Sequence, residues 1–214
     1  MKPTYHMWHY WVRLTLIFMF FLFAAFAAAL IGVSYVQARN YLHPARQIAW
    51  GALLQEQGIP VQEIELITED NVRLSAWYTP PKNGAVILVA HGYGGSRPEH
   101  FHALFASHGY GVIAWDFRAH GQSEGDFTSL GYYETLDAKA ALDFARAQPG
   151  VEHVGAWGGS MGAVTMIRAT AQYPEIEALV ADSPFVTLAE AMDLRIPSPV
   201  MRPLIRFLQK GRLA

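Results

Sequence analysis

The sequence predicts an α/β fold, in which a mostly parallel sheet carries helices on both faces. Three observations lead to this prediction. Short, continuously apolar runs such as 85–90 have the character of parallel strands that are buried on both faces. Segments with helical periodicity lie between these runs, and this alternation is typical of a parallel sheet. An uncharged apolar stretch precedes them and predicts a separate membrane-spanning helix.

The predicted elements follow one another along the chain. Alternating apolar and polar residues at 61–67 and 72–78 predict an antiparallel pair at the edge of the sheet. In the second of the surface helices, Leu136, Ala140 and Phe144 share one face and are expected to pack on the sheet. The buried strands are predicted at 85–90, 111–115, 154–157 and 176–181, and the helices between and after them at 98–107, 132–147 and 160–173.

The first part of the chain is organised differently from the rest. No charged residue occurs from Leu14 to Val36, and about 20 apolar residues suffice to cross a bilayer as a helix. We therefore predict a head at 1–13, a single-pass anchor at 14–36 and a juxtamembrane connector at 37–60, with a short helix over 45–57. A cleavable signal peptide is the alternative, but its apolar region is usually shorter, roughly 7–15 residues.

The predicted anchor makes a lipid bilayer the first expected partner, and we expect a bacterial inner membrane. Basic residues on both sides of the anchor leave its orientation open. The globular domain is predicted to occupy 61–214.

Composition excludes several classes of function. The 214-residue chain contains no cysteine, so disulfides, thiol catalysis and cysteine-based metal sites are excluded. A net charge of −2 with interspersed signs gives no basic patch for nucleic acid. No histidine pair shows the spacing and carboxylate partner of a zinc site. We predict neither a cofactor nor a metal.

The segment from Gly158 to Gly162 has the pattern Gly-x-Ser-x-Gly. An apolar run precedes it and a helical pattern follows it, which is the strand–turn–helix context of a nucleophile elbow. The glycines are expected because the turn leaves no room for a Cβ where strand and helix nearly touch. Ser160 is therefore the candidate nucleophile, exposed at the carboxyl edge of the sheet.

A second glycine-rich cluster, at 91–96, follows another buried strand. Open α/β sheets gather their chemistry beyond the carboxyl ends of their strands, so this loop is expected beside the elbow. We assign to its Tyr93 one backbone N–H of an oxyanion hole, and to Met161, directly after Ser160, the other. A glycine-rich turn without a catalytic part is the alternative.

A third cluster, at 116–123, contains an aspartate and a histidine that suggest a catalytic dyad. We interpret it instead as structural, with Asp116 and Arg118 hydrogen-bonding the turn beside the neighbouring strand. His91 and His120 are interpreted mainly as loop-stabilising residues. Three such clusters, each at the end of its own buried strand, are much stronger evidence than one Gly-x-Ser-x-Gly pattern alone.

Together these segments resemble the α/β-hydrolase superfamily of serine hydrolases, in its group of membrane-anchored bacterial members. The resemblance implies an eight-stranded, mostly parallel sheet and hydrolysis of an ester, thioester or amide in a small-molecule or lipid acyl substrate. It implies that Ser160 is the nucleophile, that Tyr93 and Met161 form the oxyanion hole, and that 186–214 is the start of a lid. The segments that carry it are HGYGGS, DFRAHGQS, GYYE, WGGSMGAVT and ADSPF.

The acid and base that such a serine requires have no clear place in the sequence. In this fold they follow the nucleophile, and the sequence has no histidine after His153. Asp182 is the candidate acid and His91 the candidate base, although the family's acid and base lie after its seventh and eighth strands. Because about six of the eight strands are predicted, we expect the sequence to be the amino-terminal part of a hydrolase, from a truncated, frameshifted or split gene.

Three further expectations follow. The sixth strand is an apolar sheet edge, so association through it and poor solubility are expected. A non-catalytic, membrane-tethered binding module is the alternative function. In that case a cellular phenotype of the protein would persist when Ser160 is replaced by Ala. His100, His102 and His108 lie on or beside the first surface helix and are expected to be solvated.

Overall fold

A computed structural model describes residues 4–187, with side chains from residue 7 onward. The chain forms two compact units, one holding the amino-terminal helix as far as Asn40 and one beginning at Tyr41. Except for its first two positions, the predicted start of a lid at 186–214 lies outside the described residues.

The amino-terminal helix, α1, runs from Thr4 to Leu42. Within the described part of the chain, its stretch from Met7 onward is the one segment whose length and composition would allow it to cross a membrane. The helix is longer at both ends than the predicted anchor at 14–36. It ends two residues before Pro44, and proline cannot continue a helix. α1 is thus a candidate membrane anchor.

The second unit alternates strands and helices in the predicted order. The predicted helix at 45–57 is wrong in extent, because Gly51 adopts a left-handed φ of 70° and only a short segment after it is helical. The bounds are α2 Ala52–Glu56, β1 Gln62–Ile67, β2 Arg73–Thr79, β3 Ala85–Ala90, α3 Glu99–Ser107, β4 Gly111–Trp115, α4 Glu134–Arg146, β5 His153–Gly159, α5 Met161–Gln172 and β6 Ala178–Asp182.

The six described strands form one sheet in the order β1-β2-β4-β3-β5-β6. β1 and β2 pair in antiparallel fashion, and β2 pairs antiparallel with β4. The remaining neighbours are parallel, so the predicted parallel sheet with an antiparallel edge is confirmed. β3 and β5 are central, and Ala90 pairs in register with Gly158. The loops after these two strands therefore meet at one edge of the sheet.

Helices cover both faces of the sheet, as predicted. α4 and α5 bury apolar residues on one face, and Phe101 and Phe105 of α3 pack on the other. Ala140 and Phe144 of the predicted apolar face of α4 pack against the core while half-buried, and Leu136 is half-buried. The fully buried residues of α4 are Ala138, Ala141, Leu142 and Ala145. These small alanine side chains allow α4 to approach the strands closely.

β6 differs from the central strands. Within the described residues it pairs with β5 on one side only, and its side chains alternate between exposed and half-buried. Val180 is 60% exposed. The strand is therefore the sheet edge among the described elements, and its predicted association with another chain stays a prediction.

Candidate active site

Ser160 lies between β5 and α5, with φ 50° and ψ −111°. A positive φ is uncommon for a residue with a Cβ and stores backbone strain. Two hydrogen bonds hold the turn: the Ser160 N–H donates to the Asp182 carbonyl at 2.8 Å, and the Val164 N–H donates to the Ser160 carbonyl at 3.1 Å. The Ser160 side chain is half-exposed. The predicted strand–turn–helix context is confirmed.

The two glycines of the Gly-x-Ser-x-Gly pattern are sterically required. A Cβ on Gly158 would lie 2.5 Å from the carbonyl carbon of Gly162, and a Cβ on Gly162 would lie 2.3 Å from the carbonyl oxygen of Ala90. Both contacts are with backbone, which cannot move aside as a side chain can. The start of α5 therefore lies close against the ends of β5 and β3. Ser160 occupies the tight turn between β5 and α5.

The loop at 91–96 adjoins Ser160 on the β3 side. A Cβ built on Gly92 would lie 3.5 Å from the Ser160 Cβ. Met161 is the first residue of α5, so its N–H is one of the four that have no acceptor within the helix. Its side chain is fully buried, which fixes the peptide next to Ser160. The loop that carries Tyr93 and the helix end that carries Met161 therefore both adjoin the serine.

His91 stabilises this loop from the inside. Its Nε2 accepts from the Phe117 N–H at 3.0 Å, and its Nδ1 donates to the Gly92 carbonyl at 2.7 Å. The tautomer follows because a backbone N–H can only donate. Burial lowers the pKa of His91 to about 3, and the nearby His120 adds to the shift. Both ring nitrogens are engaged by backbone, which favours the loop-stabilising role over the candidate role as base.

Asp116, directly after β4, is the buried acceptor around which the third glycine-rich loop turns. Its carboxylate accepts from the N–H groups of Arg97, at 2.8 Å, and Gln122, at 3.0 Å. A Cβ on Gly121 would lie 2.2 Å from that carboxylate, so only glycine fits there. Burial raises the pKa of Asp116, while these hydrogen bonds and the Arg97 charge oppose the rise. These contacts agree with the structural interpretation.

Arg118 joins the same loop to two acidic residues. Its backbone N–H and Nε donate to the buried carboxylate of Asp137 at 2.9 and 2.8 Å. Its terminal nitrogens bind Asp70 in a bidentate pair at 2.7 and 3.0 Å. The hydrogen bond from Arg118 is the main cause that lowers the pKa of Asp70. Arg118 thus ties the loop after β4 to α4 and to the turn between β1 and β2.

Glu134 was not assigned a role by the sequence. Its fully buried carboxylate accepts from the N–H groups of Ser129 and Gly131, both at 2.8 Å, and from the hydroxyls of Thr128 and Ser129. The Thr128 hydroxyl also contacts the Met161 sulfur at 3.5 Å. A Thr-Ser pair shortly before a glutamate in the first turn of a helix is the signal that could have found this cluster.

The expectation that His102 is solvated is wrong. His102 is fully buried, and its Nε2 donates to the Thr79 hydroxyl at 2.8 Å, since that hydroxyl itself donates to the Pro60 carbonyl. Burial lowers the pKa of His102 to about 4. A histidine on the inner face of α3 meets β2, whereas His100 and His108 are exposed as expected.

Asp182 ends β6 and pairs in register with Gly159, next to the elbow. Its carbonyl holds the Ser160 N–H, but its carboxylate is exposed and accepts from the Ser183 hydroxyl at 2.8 Å. No histidine within residues 7–187 hydrogen-bonds to this carboxylate. Its role as the acid stays a prediction.

A parallel sheet with an antiparallel edge, helices on both faces and an elbow serine after a central strand define an α/β-hydrolase fold. The serine aminopeptidase S33 family profile matches residues 81–212. The esterase Pf2001 of Pyrococcus furiosus superimposes with a TM-score of 0.67 at 31% identity, over 79% of this chain and 69% of that one. The chain therefore belongs to the S33 family of α/β hydrolases.

Curated relatives are similar over part of their length. An uncharacterized protein of Mycobacterium tuberculosis is 31% identical over 151 residues, which are 67% of this chain and 53% of that protein. The lysophosphatidylserine lipase ABHD12 of Mus musculus is 29% identical over 150 residues, which are 57% of this chain and 37% of the lipase. The chain spans about half the length of the mycobacterial relative and less of the lipase.

Proposed function

We propose that this chain carries the nucleophile and the oxyanion hole of a membrane-anchored serine hydrolase that cleaves acyl esters. The observation that carries the proposal is the strained backbone of a half-exposed Ser160, held by two hydrogen bonds and by the close backbone approach at Gly158 and Gly162. Strain of this kind has little use in a surface that only binds. It therefore favours catalysis over the alternative of a binding module.

In the proposed reaction the Ser160 Oγ attacks the carbonyl carbon of the ester and loses its proton to a general base. The carbonyl oxygen becomes an oxyanion, which accepts hydrogen bonds from the backbone N–H groups of Tyr93 and Met161. The intermediate collapses, the base returns the proton to the leaving alcohol, and an acyl-serine remains. Water, activated by the same base, attacks the acyl carbon and releases the acid and the free serine.

Asp182 stays the candidate acid, and no contact within residues 7–187 identifies the general base. No hydrogen bond from the Ser160 hydroxyl occurs within residues 7–187, and both nitrogens of His91 are already engaged. In this fold the acid and base follow the nucleophile in the chain.

Esters are the preferred substrate class because an esterase structure and a lysophospholipid lipase are both similar to this chain. The candidate anchor α1 favours an amphipathic lipid ester, since an anchored enzyme meets such molecules at the bilayer surface. Amides are the alternative, as the name of the matched family suggests.

The test is covalent labelling of the full chain, in detergent, with a fluorophosphonate probe, followed by mass spectrometry of the labelled peptide. We expect label on Ser160 and its loss in Ser160→Ala. Ser183→Ala is the matched control, because Ser183 also has a positive φ, of 53°, and follows the neighbouring strand. Label that persists in Ser160→Ala, or no label on the wild-type chain, would contradict the proposal and favour the binding module.

A further inference from the structure

The segment from Tyr41 to Arg46, which we call the strap, joins the end of α1 to the globular unit. It belongs to the same compact unit as the sheet. Instead of leaving the domain freely, the strap hydrogen-bonds to three loops at the carboxyl edge of the sheet. These loops are 91–96, 118–125 and 126–131. The proposed oxyanion loop is one of them.

Arg46 makes the largest set of these contacts. Its NH1 donates to the carbonyl oxygens of His120, at 3.4 Å, Gly121, at 3.3 Å, and Ser123, and its NH2 donates to that of Gly125 at 3.1 Å. Four carbonyl dipoles therefore converge on one guanidinium. Arg46 is exposed and forms no ion pair with a carboxylate within residues 7–187, so these four carbonyls are its hydrogen-bond partners there. A guanidinium suits this task because its donors form a rigid planar fork.

The other two contacts come from the backbone at the end of α1. The carbonyl of Tyr41 accepts from the Tyr93 hydroxyl at 3.0 Å, and the two rings lie 6.5 Å apart. The carbonyl of Leu42 accepts from the Thr128 N–H at 2.9 Å. The last carbonyl groups of a helix have no N–H donor within the helix. Donors from these loops satisfy them instead. The strap thus binds directly to the residue assigned to the oxyanion hole.

The loop held by Arg46 also packs against the oxyanion loop. The His120 ring lies 5.0 Å from the His91 ring and 6.0 Å from the Tyr93 ring. His120 is fixed through Nδ1, which donates to the Arg118 carbonyl at 2.9 Å, while its buried Nε2 has no partner among the described residues. The position of the His120 ring therefore depends on the backbone that Arg46 holds.

We infer that Arg46 is a positioning residue for the reaction: it fixes loop 118–125, whose His120 supports His91 and Tyr93, and so sets the oxyanion loop against Ser160. The inference rests on the proposed function. By this inference the strap not only connects the candidate anchor to the domain but also positions the proposed oxyanion loop. Loss of Arg46 leaves the nucleophile in place but loosens the N–H that receives the developing charge.

The experiment compares Arg46→Ala and Arg46→Lys with the wild-type full chain in detergent. The first readout is hydrogen–deuterium exchange of the peptides that cover 91–96 and 118–125. The second is the rate constant of fluorophosphonate labelling at Ser160. Arg146→Ala is the matched control, because it removes an arginine from an exposed ion pair with Glu175 at 2.9 Å, at the end of α4.

In Arg46→Ala we expect at least about tenfold faster exchange in both loops and a labelling rate reduced by about tenfold to a hundredfold. Arg46→Lys should fall between, since one ammonium cannot reach four carbonyls. Unchanged exchange at 91–96, or an equal loss of labelling in Arg146→Ala, would overturn the inference. If even the wild-type chain is not labelled, the proposed function fails, while exchange at 91–96 still decides whether Arg46 positions that loop.

Discussion

The two sides of the sheet are built differently around Ser160. On the β4 side, the loops after β3 and β4 are held by buried carboxylates, a buried histidine and arginines. On the β6 side, the elbow meets a strand edge whose aspartate has an exposed carboxylate, which among the described residues bonds to the neighbouring Ser183. The β4 side holds the proposed oxyanion hole. The β6 side carries Asp182, the candidate acid.

The contrast teaches that contacts among the described residues already organise the β4 side of the candidate site. The strain at Ser160 is imposed from the β4 side, where Gly162 is pressed against Ala90. The β6 side contributes one hydrogen bond, from the Ser160 N–H to the Asp182 carbonyl. Ser160 should therefore keep its backbone conformation when side chains on the β6 side are replaced.

The largest expected effect comes from breaking the buried ion pair on the β4 side. Arg118→Ala leaves Asp137 buried without its partner and should lower the free energy of unfolding by about 3–5 kcal/mol. Arg146→Ala, which breaks the exposed pair with Glu175 on the β6 side, should cost about 1 kcal/mol or less. Chemical denaturation of both variants measures the difference. Equal losses would show that the two sides are not built differently.

The elbow glycines give the next largest contrast. In Gly162→Ala the new Cβ meets the Ala90 backbone at 2.3 Å, so we expect a loss of about 3 kcal/mol. In Gly159→Ala, whose residue pairs with β6, the Cβ meets only the outer edge of the Trp157 ring at 3.0 Å, and a loss of about 1 kcal/mol is expected. Thermal unfolding of both variants tests this ranking, and the reverse order would refute it.

The third comparison is between Asp116, which follows β4, and Asp182, which ends β6. Asp116→Ala leaves the buried Arg97 N–H and the part-buried Gln122 N–H without an acceptor and should cost about 2 kcal/mol. Asp182→Ala should change stability by less than about 0.5 kcal/mol, because its carboxylate is exposed. Fluorophosphonate labelling of a stable Asp182→Ala chain is the complementary measurement, and its loss would support Asp182 as the acid.

The smallest effect concerns acid stability. Burial lowers the folded-state pKa of His102 to about 4 from 6.5, so the contribution of the neutral ring is complete above pH 6.5 and is lost as the pH falls towards 4. Between pH 7 and pH 5 the free energy of unfolding of the wild-type chain should fall by roughly 1–2 kcal/mol more than that of His102→Gln. His153, 63% exposed at its side chain, is the control on the β6 side. An equal change in slope in His153→Gln would contradict this.

Much of the fold could be predicted because local patterns carry it. Strand and helix order, the antiparallel edge and the steric need for Gly158 and Gly162 were all predicted from periodicity and turn chemistry. The differences at His102 and α4 have one cause: which face of a helix is buried depends on what packs against it. His102 turned inwards because Thr79 offers an acceptor, and α4 turned its alanines inwards because they allow close approach to the sheet.

The sequence by itself determined the α/β-hydrolase fold and the serine at its elbow. A strained turn tolerates few residues, so a short motif is enough to recognise it. Only the tertiary structure decided what surrounds that serine. It engaged both nitrogens of His91 with backbone, gathered Asp116, Arg118 and Glu134 beneath the loops, and joined Arg46 to carbonyls more than 70 residues away. Such contacts arise between segments that are distant in the chain, so no local pattern records them.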